Sequence, residues 1–145
     1  MNATAPFTIS LVDWSAGELA LRTVRHAVFV VEQRVPEDLE WDALDAPSRH
    51  ALAVDARGAP IGCGRLLPDG YIGRMAVVAP WRGRGVGAAL LRALVALARE
   101  RGHARAALNA QVSAVPFYAR YGFTVTGEAF EEAGIDHRVM VRPLA

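Results

Sequence analysis

Three segments of strand character follow one another between residues 50 and 78 with only short turns between them. They cover residues 50–56, 59–67 and 71–78, and the turns are Arg57-Gly58 and Pro68-Asp69-Gly70. Connections this short join antiparallel neighbours, because a parallel connection needs a crossover of a dozen or more residues. The order therefore predicts an antiparallel sheet at the centre of an α+β domain.

The rest of the chain predicts helices and four further strands around that sheet. The clearest helix covers residues 86–101, whose apolar residues recur at spacings of three and four. An earlier helix is predicted from Ser15, which forms a capping box with Glu18, to Val31, with Leu19, Val24, Val28 and Val31 near one face and a deeply buried end. The remaining predicted elements are strands at 7–12, 104–110, 123–126 and 137–141, and a short helix at 114–121 with Ser113 as its N-cap.

Composition excludes several classes of function. The chain has 145 residues, which predicts one domain over residues 1–145. All 16 cationic residues are arginine, so a phosphate loop with its lysine and Schiff-base chemistry are excluded. The net charge of +1 suggests neither nucleic acid nor a membrane surface as a partner. Cys63 is the single cysteine, which excludes an internal disulfide and a multi-thiolate metal site, and we expect no metal.

The lack of recognisable targeting signals predicts the location of the protein in the cell. Residues 1–6 carry no basic segment of the kind that opens a signal peptide. The longest apolar stretches, such as 27–31, are far shorter than the roughly 20 residues of a membrane span. The sequence therefore predicts a cytoplasmic protein.

The connection between the fourth strand and the long helix is the strongest chemical signal. Glycines at 83, 85 and 87 leave the backbone bare, and the helix start has no Ser, Thr, Asp or Asn to cap it. Arg82 and Arg84 lie where the helix dipole is already positive. A bound anion would accept hydrogen bonds from the uncapped amides and neutralise both guanidiniums. The loop therefore predicts a phosphate site, and the plainer alternative is a tight turn with glycines for packing.

A dinucleotide site is an alternative reading of the same loop. Gly83-x-Gly85-x-x-Ala88 satisfies a loose Rossmann fingerprint, which would make the protein a nucleotide-dependent oxidoreductase. That fold needs an acidic residue near the end of the next strand, where this chain has Asn109-Ala110-Gln111. It also needs a parallel sheet from the N-terminus, which the antiparallel segments disfavour.

The segment Arg82-x-x-Gly85-x-Gly87 resembles the acetyl-CoA pyrophosphate loop of the GNAT superfamily of N-acetyltransferases. The similarity covers nearly the whole chain and looks most like the ElaA-like subfamily. Asp136 departs from that pattern, because relatives often have proline there. The matching segments are Arg25-x-x-Val28-Phe29-Val30-Val31-Glu32-Gln33, Arg49-His50, Gly73-Arg74, Ala110-Gln111, Phe117-Tyr118-x-x-Tyr121-Gly122-Phe123 and Glu131-Glu132-x-Gly134-Ile135-x-His137.

The resemblance implies a single mixed αβ domain with a twisted, mostly antiparallel central sheet and helices on both faces. Its fourth and fifth strands would run parallel and splay apart into a wedge that holds acetyl-CoA. An amide near Val77 would stabilise the oxyanion formed when an amine attacks the thioester. The implied acetyl-CoA-binding residues are Met75, Ala76, Val77, Arg82, Gly83, Arg84, Gly85, Val86, Gly87, Ala88, Asn109 and Tyr118.

The resemblance also implies the reaction and its participants. An acetyl group would pass from acetyl-CoA to a primary amine by direct attack in a ternary complex. Tyr118 would be the general acid that protonates the departing thiolate. Glu32, His50 and His137 are the candidate general bases, and Glu32, His50 and Gln111 the candidate acceptor-binding residues. A non-catalytic acyl-CoA-binding module is the alternative.

The stretch Glu32–Ser48, here called the acidic segment, is the longest irregular part of the chain. Its carboxylates could attract a cationic acceptor and Trp41 could stack on it, or the segment could be a solvated loop. Both readings stay open on the sequence. The expected partner is a small-molecule or peptide amine, and a homodimer is compatible with the sequence but not indicated by it.

Overall fold

The computed structural model describes residues 6–144. Residues 1–5 and 145, which the predicted domain includes, lie outside the described residues. The strands are β1 Phe7–Asp13, β2 Arg49–Asp55, β3 Pro60–Leu66, β4 Tyr71–Val77, β5 Arg105–Gln111, β6 Thr124–Glu132 and β7 Ile135–Pro143. The helices are α1 Trp14–Arg25, α2 Glu37–Glu40, α3 Val86–Glu100 and α4 Val115–Ala119, and a π-helical segment covers His26–Glu32.

One seven-stranded sheet runs through the molecule in the order β1-β2-β3-β4-β5-β7-β6. Its neighbours are antiparallel except β4 and β5, which are parallel. The hairpin predicted at Arg57-Gly58 forms, with Gly58 at a φ of +82°. The mostly antiparallel sheet with a parallel fourth and fifth strand is therefore confirmed.

Helices cover both faces of the sheet. Successive strand residues point to opposite sides, so each strand contributes apolar side chains to a core on either face. On β2, Ala51 and Ala53 belong to the core under α3, whereas Leu52 belongs to the core under α1. The α3 stripe of Leu90, Leu94 and their neighbours is fully buried, as its periodicity predicts. Among residues 6–144, no helix combines the length and the apolar character of a membrane span.

The first helix differs from its prediction in three ways. It begins at Trp14, its N-cap Asp13 makes no side-chain cap bond, and the predicted capping box of Ser15 and Glu18 is wrong. Glu18 instead pairs with Arg22 one turn later, at 2.9 Å. Beyond Arg25 the helix widens into the π-helical segment, which changes the faces on which later side chains lie. Val31, within that segment, is 63% exposed, and Leu19, which precedes it in α1, is 82% exposed, so only Val24 and Val28 of the predicted face are buried.

Two other regions are more regular than predicted. Pro36 precedes a single turn of helix, α2, inside the acidic segment. Near the C-terminus, Ala133 and Gly134 both have positive φ and connect β6 to β7 as a tight hairpin, so both strands are longer than expected. Ser113 lies in a 3-10 turn before α4, whose N-cap is Ala114, and the predicted Ser113 cap is wrong.

Candidate active site

A wedge opens in the sheet between β4 and β5. Over Tyr71–Val77 and Arg105–Gln111, the two strands pair only at Tyr71–Ala107 and Ile72–Leu108, and they separate beyond that point. A cavity of about 530 Å³ occupies the wedge and its mouth. Its walls come from both strands, α4, the π-helical segment, the acidic segment and the β6–β7 hairpin.

A bulge lies in β4 where the wedge opens. Arg65 pairs with Gly73 and Cys63 with Ala76, so Gly64 faces both Arg74 and Met75. A Cβ on Gly64 would lie 2.6 Å from the sulfur of Met75, so only glycine leaves room for that side chain. Arg74 adopts a φ of +50°, a left-handed conformation that a non-glycine residue keeps only where its surroundings hold it.

Arg74 belongs to a cluster of six charged residues, here called the ion cluster, whose other members hold its side chain. Its Nε lies 3.0 Å from Glu40 Oε2 and its Nη2 lies 3.1 Å from Asp42 Oδ2. Arg65 Nη1 reaches Asp42 and Asp45, and Arg25 pairs with Glu40 and Asp45 at 2.8 and 2.7 Å. The cluster fastens the acidic segment to the sheet and consists of Arg25, Arg65, Arg74, Glu40, Asp42 and Asp45.

The ion cluster buries part of the acidic segment. Glu40 and Asp45 are 3% and 2% exposed, whereas Glu37 and Asp38 are exposed, so the segment is solvated only in part. Burial alone would raise the pKa of Asp45, but hydrogen bonds from Arg25 and Arg65 outweigh it and lower the pKa below its ordinary value. Trp41 stacks on Arg22 and Arg25, at 4.7 and 5.1 Å from its ring centroid, so its cation–π partners are internal.

Sequence reasoning missed the three arginines of the ion cluster. A signal was present, because Arg65 and Arg74 interrupt otherwise apolar strands. An arginine at a core-facing position of a buried strand requires carboxylate partners. The acidic segment was the nearest large source of them in the sequence.

His50 lies apart from the cavity. Its side chain is 1% exposed, its Nε2 lies 2.9 Å from the carbonyl oxygen of Asp45, and its ring is 5.3 Å from that of Trp14. Burial lowers the pKa of His50, so the ring is neutral near pH 7. The structure therefore does not place His50 where a base or an acceptor ligand would act, and its contact instead holds Asp45.

The loop that contains Gly83, Gly85 and Gly87, here called the glycine loop, leads into α3 without a side-chain cap. Gly85 is the N-cap residue with a φ of +85°, and it makes no side-chain cap bond. A Cβ on Gly83 or Gly85 would meet open space within 4 Å, so their positive φ and not crowding favours glycine. Within residues 6–144, no side chain accepts a hydrogen bond from the amides of the first turn of α3, which leaves them available to an anion.

Arg82 and Glu32 form an ion pair beside that loop. Nη1 and Nη2 of Arg82 donate to the two carboxylate oxygens of Glu32 at 2.7 and 2.6 Å, and Nε donates to the Val77 carbonyl at 2.9 Å. The hydrogen bonds from Arg82 lower the pKa of Glu32. Glu32 therefore lies against the loop, outside the cavity lining, whereas Arg84 stacks on Trp81.

Tyr118 lines the cavity from α4. Its side chain is 9% exposed, and within residues 6–144 its hydroxyl makes no hydrogen bond. Burial raises its pKa to about 12, so the phenol is protonated across the physiological range. Its neighbours Phe117 and Phe123 pack edge-on against its ring, at 5.1 and 6.1 Å between centroids.

His137, Gln111 and Asn109 also line the cavity. His137 Nδ1 lies 2.7 Å from the carbonyl oxygen of Ile135, and because a carbonyl only accepts, Nδ1 carries the hydrogen. In the neutral ring, Nε2 is then the basic nitrogen. Gln111 and Gln33 exchange hydrogen bonds of 2.8 and 3.3 Å across the mouth of the wedge.

Comparisons with known proteins agree with this geometry. A family model described as an acetyltransferase (GNAT) domain matches residues 15–144. YjcF of Bacillus subtilis, named as an uncharacterized N-acetyltransferase, is 41% identical over 123 residues, which cover 82% of this chain and 87% of that protein. The structure is similar to that of an acyl-CoA N-acyltransferase from Pseudomonas aeruginosa (TM-score 0.83, 31% identity, 94% of this chain and 99% of that one). It is similar to Escherichia coli ElaA at the same TM-score and coverage, with 29% identity.

Proposed function

Because the chain belongs to the GNAT family and is an N-acetyltransferase, we propose that it moves an acetyl group from acetyl-CoA to a primary amine by direct attack in a ternary complex. The family acts on small-molecule or peptide amines with acyl-CoA donors. The observation that carries the finer proposal is the splayed β4–β5 pair beside an uncapped, glycine-rich helix start.

The donor would lie along the wedge with its pyrophosphate on the glycine loop. The amides of Gly83, Arg84, Gly85, Val86, Gly87 and Ala88 would donate to phosphate oxygens, helped by the dipole of α3. Arg82 would add its charge, with Glu32 fixing its orientation through the bidentate pair. Beyond the bulge, the backbone of Met75, Ala76 and Val77 would bind the pantetheine arm, and Asn109 would lie on its other side.

Tyr118 would donate its proton to the thiolate as CoA leaves. A leaving group of this kind needs a proton donor, and the raised pKa of Tyr118 keeps the phenol protonated. Its hydroxyl makes no hydrogen bond to another group in residues 6–144, and Tyr118 is part of the cavity wall. An amide at or near Val77 would stabilise the negative charge that develops on the acyl oxygen.

His137 is the general base that the geometry favours. An alkyl ammonium with a pKa near that of lysine must lose a proton before it can attack a thioester at neutral pH. His137 Nε2 is the basic nitrogen of a cavity-lining ring, whereas Glu32 is engaged by Arg82 and His50 lies in the core. Gln111, held by Gln33, would bind the acceptor beside His137.

Acetyl-CoA binding is the first test of the proposal. A ligand at a hundred times its Kd adds about 2.7 kcal/mol of stability, so acetyl-CoA should raise the melting temperature by several degrees. NAD, which the Rossmann alternative requires, should leave it unchanged. A shift with NAD and none with acetyl-CoA would overturn the proposal. Binding without CoA release across a broad amine panel would favour the non-catalytic module.

The choice of base gives a second test. His137→Gln should lower kcat about tenfold to a hundredfold, because water replaces only part of a positioned base. Glu32→Gln, which removes a carboxylate already committed to Arg82, should change kcat less than threefold and act on the KM for acetyl-CoA instead. Steady-state kinetics with acetyl-CoA varied at a saturating concentration of one amine measure kcat and the KM for acetyl-CoA. The opposite pattern would assign the base to Glu32.

A further inference from the structure

The charges of the acidic segment that face the cavity cancel within the protein. Glu40 and Asp42 line the cavity, but both are paired with Arg74, and Arg65 and Arg25 complete their contacts. With Asp45, the ion cluster holds three carboxylates and three guanidiniums. Their fields largely offset one another, so these carboxylates offer little attraction to a cationic acceptor.

The wall of the cavity that the acidic segment and the start of β4 form exposes apolar side chains to solvent. Leu39 and Leu44 of the acidic segment are 55% and 45% exposed, and Tyr71 at the start of β4 is 37% exposed. All three line the cavity. Single exposed apolar side chains are ordinary, but three around one cavity form a surface that gains by contact with an apolar ligand.

One carboxylate of the cavity has no arginine partner within residues 6–144. Glu132 lies at the end of β6, in the same hairpin as His137, and is exposed. The cavity therefore offers one carboxylate and one basic nitrogen in the β6–β7 hairpin, and apolar side chains on the acidic segment and β4.

Resting on the proposed function, we propose that the acceptor is a primary monoamine with an apolar body. Its amine lies toward His137 and Glu132, and its body contacts Leu39, Leu44 and Tyr71. A second positive charge on the body is disfavoured, because within residues 6–144 the carboxylates that line this wall of the cavity, Glu40 and Asp42, are both paired with arginines.

A series of n-alkylamines tests the acceptor class. With acetyl-CoA as donor, kcat/KM should rise about threefold to fourfold for each methylene from ethylamine to hexylamine, which corresponds to about 0.8 kcal/mol per buried CH₂. 1,5-Diaminopentane has the same number of non-hydrogen atoms as hexylamine but ends in a second ammonium. Its kcat/KM should be at least tenfold lower than that of hexylamine.

Exposed leucines provide matched variants. Leu39→Ser and Leu44→Ser together should lower kcat/KM for hexylamine about tenfold and leave ethylamine unchanged. Leu19→Ser is the control, because Leu19 is 82% exposed and lies outside the cavity lining.

The outcomes separate this inference from the proposed function. If calorimetry detects no acetyl-CoA binding, the proposed function is overturned. Three results would overturn the acceptor inference alone, provided that acetyl-CoA binds. These are equal kcat/KM values across the alkylamine series, a preference for the diamine, and no acetylation of any alkylamine.

Discussion

Replacing Tyr118 with phenylalanine is expected to lower kcat by about 10²–10³-fold, within the range that general acids contribute. The variant loses only a hydroxyl that makes no hydrogen bond in residues 6–144, so no buried partner is orphaned. The melting temperature and the Kd for acetyl-CoA should therefore stay near the wild-type values. CoA release, followed with a thiol reagent at saturating amine and donor, measures the effect.

The pH dependence adds a control to the Tyr118 variant. Because the pKa of Tyr118 is raised to about 12, the phenol remains protonated from pH 6 to 10, and its ionisation should produce no fall in wild-type kcat over that range.

Tyr121→Phe is the matched control for Tyr118→Phe, since the side chain of Tyr121 packs against Phe117 near the same end of α4 but does not line the cavity. Equal turnover by the Tyr118→Phe enzyme and the wild type would remove Tyr118 from catalysis.

The second large effect is on stability. Arg25→Met should lower the free energy of unfolding by about 3–5 kcal/mol, because it leaves Glu40 and Asp45 buried with one guanidinium fewer. For a domain of this size that corresponds to a fall in melting temperature of roughly 10 °C. Chemical denaturation at pH 7 measures it directly.

Two further variants identify the cause of that loss. Arg25→Met with Asp45→Asn removes one of the orphaned charges and should recover part of the stability. Arg22→Met is the matched control, since Arg22 stacks on the same Trp14 and Trp41 but forms only a surface pair with Glu18, worth less than about 1 kcal/mol. If Arg22→Met destabilises as much as Arg25→Met, the stacking and not the buried charges is responsible.

Acid should act on Asp45 and Glu40 of the same cluster in opposite senses, because burial raises the pKa of Glu40 whereas hydrogen bonds from Arg25 and Arg65 lower the pKa of Asp45. Asp45 has a lowered pKa in the folded protein, so its contribution is present above its unfolded pKa and is lost as pH falls through the folded value. Arg25→Met should therefore flatten the fall in stability below about pH 4, the ordinary range of an aspartate pKa.

Local signals predicted the fold well where a few adjacent residues determine the backbone. The periodic apolar stripe of α3 follows from its spacing, and the turn at Gly58 follows from glycine at positive φ. The π-helical segment could not be predicted from such local signals. Its widened turns keep the apolar composition of an α-helix and change only which side chains are buried. Val31 was therefore assigned to the wrong environment.

The candidate site was predicted unevenly for a related reason. Tyr118, His137 and the glycine loop are separate short signals, and the family resemblance was enough to place them together. The ion cluster joins residues 15 to 34 positions apart, so its pairs exist only after α1, the acidic segment, β3 and β4 have come together. Nothing in the spacing of Glu40 or Asp45 distinguishes a buried carboxylate from a solvated one.

The narrow contact between β4 and β5 has a mechanical consequence. Within residues 6–144, two register pairs join the half of the sheet made of β1–β4 to the half made of β5, β7 and β6, and the core under α3 packs against both halves. A small rotation of one half against the other would stretch few main-chain hydrogen bonds and leave the pairing inside each half intact.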